Sequence, residues 1–104
     1  MLAKKYKLPI QLFPGKRGKL VKSAYFTLKV FPTTLNFSRF GVTISAKVAP
    51  KSSKRNQMRR AAFNFLKNTG RTLPIADYWI TALSPAAGLP KEDFVRELEK
   101  IING

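Results

Sequence analysis

Apolar residues recur at every second position from Ala24 to Phe31. Ala24, Phe26, Leu28 and Val30 share one face, and Ser23, Tyr25, Thr27 and Lys29 share the other. That alternation predicts a half-buried strand. Pro32 to Asn36 supplies a turn, and a second alternating run follows, with Phe40, Val42, Ile44 and Ala46 opposed to Arg39, Gly41, Thr43 and Ser45. Joined by so short a connection, the two strands are expected to pair antiparallel. Over Lys51–Lys67 the period lengthens. Met58, Ala61, Ala62, Phe65 and Leu66 fall at i, i+3, i+4, i+7 and i+8, one face of an α-helix. Asn56, Arg60 and Lys67 point roughly opposite to Met58, flanked by Arg59 and Phe63. Ser52 or Ser53 suits the N-cap and Gly70 the terminator.

Beyond this helix, Arg71 to Ala76 reads as a linker and Asp77 to Leu83 as a largely buried strand. Ser84 to Leu89 is a small-residue loop. Pro90 suits the first position of a last helix, whose apolar stripe is Phe94, Val95, Leu98, Ile101 and Ile102. Before residue 23 the pattern is irregular. Pro9 can open a helical turn that Pro14-Gly15 must end, and Lys16, Arg17, Lys19 and Lys22 form a charged run leading into a short strand. Two paired strands, a helix, a strand and a helix imply an α+β fold, a two-layer α/β sandwich with its helices on one face of the sheet. The 104 residues fit one domain, 1–104, with a single modest core.

Charge changes what the exposed faces mean. The net charge is +15, and 17 of the 20 Lys and Arg residues precede Asp77, the first acid of the chain. Four of the five acids (Glu92, Asp93, Glu97 and Glu99) fall in the last 13 residues. A solubilising surface usually mixes both signs. An acid-free span of 76 residues instead keeps its field intact for a polyanion, which points to nucleic acid. Lys51, Lys54, Arg55, Arg59, Arg60 and Lys67 crowd the central helix, spaced to follow a phosphate backbone. The sheet face of Tyr25, Thr27, Lys29, Arg39, Thr43 and Ser45 suits plain solvation or, equally, a platform for a single strand. No stretch reads as a transmembrane or secretory segment, since the apolar run at residues 8–13 is short and cut by prolines. Cytoplasm is the expected location.

Enzymatic chemistry by the polypeptide alone is disfavoured. There is no Cys and no His, so the commonest nucleophile–base pairs and zinc ligands are missing. The paired carboxylates lie only in the terminal helix, at spacings suited to helix pairs.

Three stretches together resemble a known family. Arg39-Phe40-Gly41-Val42-Thr43-Ile44-Ser45-Ala46-Lys47, then Lys54-Arg55-Asn56-Gln57-Met58-Arg59-Arg60, then Asp77-Tyr78-Trp79-Ile80, resemble the protein subunit of bacterial ribonuclease P in order and spacing. The resemblance implies an αβββαβα sandwich with a left-handed βαβ crossover around the signature helix, similar to the second domain of the fifth small-subunit ribosomal protein. It also implies a function: a catalytic RNA removes the 5′ leader of precursor tRNA, with Mg²⁺ held mainly by RNA and substrate phosphates and none by protein alone. The protein, expected as a monomer away from membranes, would bind that RNA through Lys54, Arg55, Asn56, Arg59, Arg60 and Lys67, with Lys47 at the strand end. The leader would lie in a cleft of Phe13, Tyr25, Thr27, Lys29 and Thr43. Two positions depart from the family: Gln57 replaces the usual third Arg of the signature, and Phe63 replaces a common basic residue. A structural ribosomal-type RNA-binding protein, without a part in cleavage, is the alternative from another class.

Overall fold

A computed structural model describes residues 6–7 and 18–103. Its strands are β1 (Lys19–Lys22), β2 (Phe26–Phe31), β3 (Arg39–Thr43) and β4 (Asp77–Ala82). Its helices are α1 (Ser52–Thr69) and α2 (Lys91–Asn103), with short 3₁₀ turns at Gly70–Thr72 and Ser84–Gly88. The N-terminal helical turn expected around Pro9 lies outside the described residues.

The alternation expected from Ala24 begins two residues later because Ser23 makes a turn. Its hydroxyl accepts from the N–H groups of Tyr25 and Phe26, at 3.2 and 3.1 Å. Local side-chain bonding of this kind competes with a strand ladder. It folds β1 back onto β2 as an antiparallel hairpin, Lys22 opposite Thr27 and Lys19 opposite Val30.

The sheet order is β1-β2-β4-β3, so the expected antiparallel pairing of β2 with β3 does not occur. β4 lies between them, antiparallel to β2 and parallel to β3. The physical reason is the composition of β4. Tyr78, Ile80 and Ala82 are buried toward the core and Asp77 on the opposite side, and a strand this buried sits inside a sheet rather than at its exposed edge. Residues 32–38 carry the chain past one strand position, and Ser38 fixes the far side. Its hydroxyl accepts from the Ala76 N–H at 3.1 Å, and the Arg39 N–H donates to the Ala76 carbonyl at 3.3 Å. β3, α1 and β4 thus form a parallel crossover with α1 as its connection.

Both helices cover one face. Leu28, Val42 and Ile80 of the sheet join Met58, Ala62 and Leu66 of α1 and Phe94, Leu98 and Ile101 of α2 in one buried cluster. Phe26 meets Phe94 edge to face at 5.2 Å, and Phe40 stacks on Tyr78 at 5.3 Å.

The helix ends depart from expectation. α1 starts at Ser52 with Lys51 as its N-cap residue and no side-chain cap, so neither serine caps it. Instead the Arg55 guanidinium donates to the carbonyls of Ala49 and Pro50, at 2.8 and 3.0 Å, and ties down the incoming loop. Gly70 closes α1 in ordinary right-handed conformation (φ −58°) and leads into a 3₁₀ turn. Its glycine is required for space: a Cβ there would stand 2.7 Å from Cζ of Phe40. Pro90 sits just ahead of α2, where its carbonyl accepts from the Phe94 N–H at 2.9 Å.

Candidate nucleic-acid interface

Cross-strand register puts the outer sheet face in rungs, because directly paired residues point to the same side. Lys22, Thr27, Thr81 and Thr43 form one rung across β1, β2, β4 and β3. Leu20, Lys29, Trp79 and Gly41 form the next, and Phe31, Asp77 and Arg39 a third. Thr27, Lys29 and Thr43, expected in the cleft, are therefore brought together. Tyr25 lies in the bend ahead of β2, half-buried, its carbonyl accepting from Leu83 N–H at 2.8 Å. Phe13 lies outside the described residues.

Trp79 holds the centre of this face. Its indole Nε1–H donates to Thr43 Oγ1 at 2.9 Å, and the Lys29 ammonium sits 5.3 Å from its ring centroid. Gly41, its neighbour on β3, presents no side chain to obstruct the ring. Reading β4 as a mostly buried strand hid this residue. The signal that could have found it is alternation: with Tyr78, Ile80 and Ala82 directed to the core, Trp79 and Thr81 must point the other way.

The third rung handles Asp77, the one acid among the four strands. Asp77 is 2 % exposed. The Arg39 guanidinium grips it with both arms, Nε to Oδ1 at 3.0 Å and Nη2 to Oδ2 at 2.9 Å. Hydrogen bonding to Asp77 raises the Arg39 pKa above its ordinary value, although burial opposes the shift. The pair is bidentate and charge-assisted, so Asp77 presents no uncompensated negative charge to an approaching polyanion. Arg39, read from the sequence as a platform cation, is spent on this partner.

α1 sorts its basic residues more finely than its sequence pattern does. Asn56, Arg60 and Lys67 are exposed, as expected. Arg59 is half-buried and donates from Nη1 to the Asn56 Oδ1 at 3.0 Å, which fixes the two as a unit. Arg55 is half-buried in its loop clamp, and Lys54 turns into a groove toward α2 that Arg60 also lines. Lys47 stands exposed in the turn before α1. Phe63 settles differently from the basic residue it replaces: it is buried in the core cluster, with the Lys7 ammonium 5.5 Å from its ring. Lys7 makes a parallel bridge with Phe40 of β3 and so lies against α1 on the flank where the pattern placed Phe63 near solvent.

Among the described residues, no group of three His, Cys, Asp or Glu side chains could hold a metal ion. No helix among them is long and apolar enough to cross a membrane.

Comparison with known proteins bears on the family and the fold. A family model described as Ribonuclease P matches residues 11–104. The ribonuclease P protein component of Aliivibrio fischeri is 27% identical over 89 residues, 86% of this chain and 76% of that protein. That of Aliivibrio salmonicida is 27% identical over 86 residues, 83% of this chain and 74% of that protein. The fold is that of the RNase P protein of Staphylococcus aureus, with a TM-score of 0.87 at 20% identity, covering 94% of this chain and 93% of that one. The Thermotoga maritima RNase P protein gives 0.80 at 17% identity, covering 92% and 94%. None of these matches favours a structural ribosomal-type protein without a part in cleavage. The chain belongs to the ribonuclease P protein family, as a protein component of that ribonucleoprotein endoribonuclease and a partner of its RNA.

Proposed function

We propose that this protein grips the ribonuclease P RNA with α1 and lays the single-stranded 5′ leader of precursor tRNA across its outer sheet face. The observation that carries the second half is the Lys29–Trp79–Thr43 arrangement. A single strand is bound without base pairing by an aromatic ring on which a base can stack and cations that meet its phosphates. Trp79 supplies the ring, held at one edge by Thr43 and flanked by the Lys29 charge. Thr27, Thr81 and Thr43 add hydroxyls along the neighbouring rung, and Lys22 a second cation. Tyr25 stands at the end of this path, and Phe13 belongs to the same cleft on this reading.

On α1, the exposed Arg60 and Lys67 and the Asn56–Arg59 unit contact RNA phosphates, with Lys54 and Lys47 extending the basic track. Arg55 acts from its clamp, holding the loop and helix start in place. Phosphodiester hydrolysis belongs to the RNA. Mg²⁺ is held mainly by RNA and substrate phosphates, and the protein's part is to bind, orient and neutralise charge. It acts as a monomer in the cytoplasm, inside the ribonucleoprotein.

Reconstitution with the cognate catalytic RNA at low Mg²⁺ tests the reading. Added protein should raise the rate of precursor-tRNA cleavage, and more so for substrates carrying a leader of several nucleotides. An unchanged rate sinks it.

A further inference from the structure

The groove between α1 and α2 is separate from the sheet face and has a composition of its own. It encloses about 320 Å³. That is the lower end of the roughly 300–1,000 Å³ range of small-molecule sites, and far too small for a duplex. Its floor is apolar, with Met58 from α1, Leu89 from the preceding turn and Phe94 from α2. Around it stand three cations and two amides: Lys54, Arg60 and Lys91, with Gln57 and Asn64. No acid lines it. Of the two acids in the first turn of α2, Asp93 is engaged by Arg96 at 3.1 Å. Among the described residues, none of the five polar side chains makes a hydrogen bond or ion pair within the protein.

We infer that this groove takes a single unpaired nucleotide of the ribonuclease P RNA, base inward and phosphates at the rim. This rests on the reading that α1 faces that RNA. Each part of the groove matches one part of such a nucleotide. An apolar floor suits a base withdrawn from its stack, whereas a site for phosphate alone would have no use for one. Amides carry a donor and an acceptor on adjacent atoms, the pattern that pairs with base edges. Lys54 and Arg60 on α1 and Lys91 on α2 bracket the opening, so the phosphates on either side of an inserted base each meet a positive charge. Gln57 takes its meaning from this placement: a neutral amide among cations reads a base where a guanidinium would read a phosphate.

The test is a titration of the ¹⁵N-labelled full chain, followed by amide chemical shifts. The probes are adenosine 5′-monophosphate, ribose 5-phosphate and a hexaglutamate peptide. Saturable shifts at Gln57, Ala61, Asn64 and Leu89 are expected with the nucleotide and not with the sugar phosphate. Equal shifts from ribose 5-phosphate would reduce the groove to a phosphate site and overturn the inference. Stronger shifts from the peptide would make it a protein-docking site, with the same consequence, and so would an absence of shifts. The Gln57→Ala/Asn64→Ala variant, both positions exposed, should keep its melting temperature and lose the nucleotide shifts. It should also bind the catalytic RNA about fivefold to tenfold more weakly. If it binds that RNA like the unaltered protein, the groove serves free nucleotides and the inference fails. Cleavage stimulation by the unaltered protein is read separately, so a failure of the component role is not mistaken for a failure of the groove.

Discussion

The outer sheet face and the exposed side of α1 both present cations, but they hold them differently. On the sheet, Lys29 rests against Trp79, Trp79 is bonded to Thr43, and Arg39 is locked onto Asp77. On α1, Arg60 and Lys67 stand on long flexible stems in solvent, whereas Arg55 and Arg59 are tethered. A rigid face gives up little conformational entropy when a base stacks on it, so geometry there can select a substrate. Flexible cations lose entropy on binding and act mainly through charge, which makes their contribution steep in salt and tolerant of shape. The two regions therefore suit two tasks: recognition of a flexible strand, and a firm hold on a large folded RNA.

The contrast should break first at Asp77, the anchor of the rigid face. Asp77→Ala strands a half-buried Arg39 charge in the sheet and should cost about 3 kcal/mol in urea unfolding. If stability is unchanged, the third rung is not holding the platform. Trp79→Ala comes next. It should weaken binding of a single-stranded leader by about 1–3 kcal/mol while affinity for the catalytic RNA stays as it was. Fluorescence anisotropy with leader-bearing and leaderless precursor tRNA separates the two, and an equal loss for both would erase the division of labour. Arg59→Ala with Arg60→Ala should do the converse. RNA affinity falls, and the slope of log K against log salt flattens by about 1–2. An unaltered slope would remove α1 from the contact. The smallest effect belongs to Lys67→Ala, which should flatten the slope by about 1 and leave the melting temperature in place. A drop in thermal stability would show that Lys67 is a structural residue.

The two regions were also unequally legible. α1 was visible almost whole, because a 3.6-residue apolar period and a run of cations are properties of one continuous segment. What escaped was at its margins. Phe63 was assigned toward solvent since nothing in the helix pattern reveals that Lys7 and its bridge to Phe40 cover that flank. The serines looked like caps, yet the start of α1 is organised by Arg55 reaching back to two carbonyls. Gly70 does end α1 as its sequence position suggested, but the helix pattern could not show that it is small for the sake of Phe40.

The sheet face was legible only strand by strand. Alternation placed Thr27, Lys29 and Thr43 on exposed faces, but could not say which strands adjoin. Sequence alone determined the class of elements, most core-facing positions and the acid-free span, because each of these is written in local period or in charge, and it carried the family resemblance in three motif stretches. The order β1-β2-β4-β3, the seating of Trp79 between Lys29 and Thr43, the silencing of Asp77 by Arg39 and the groove between α1 and α2 were decided by tertiary structure. Each joins residues far apart in the chain, and strand pairing depends on which buried surfaces fit one another, a quantity no single segment carries.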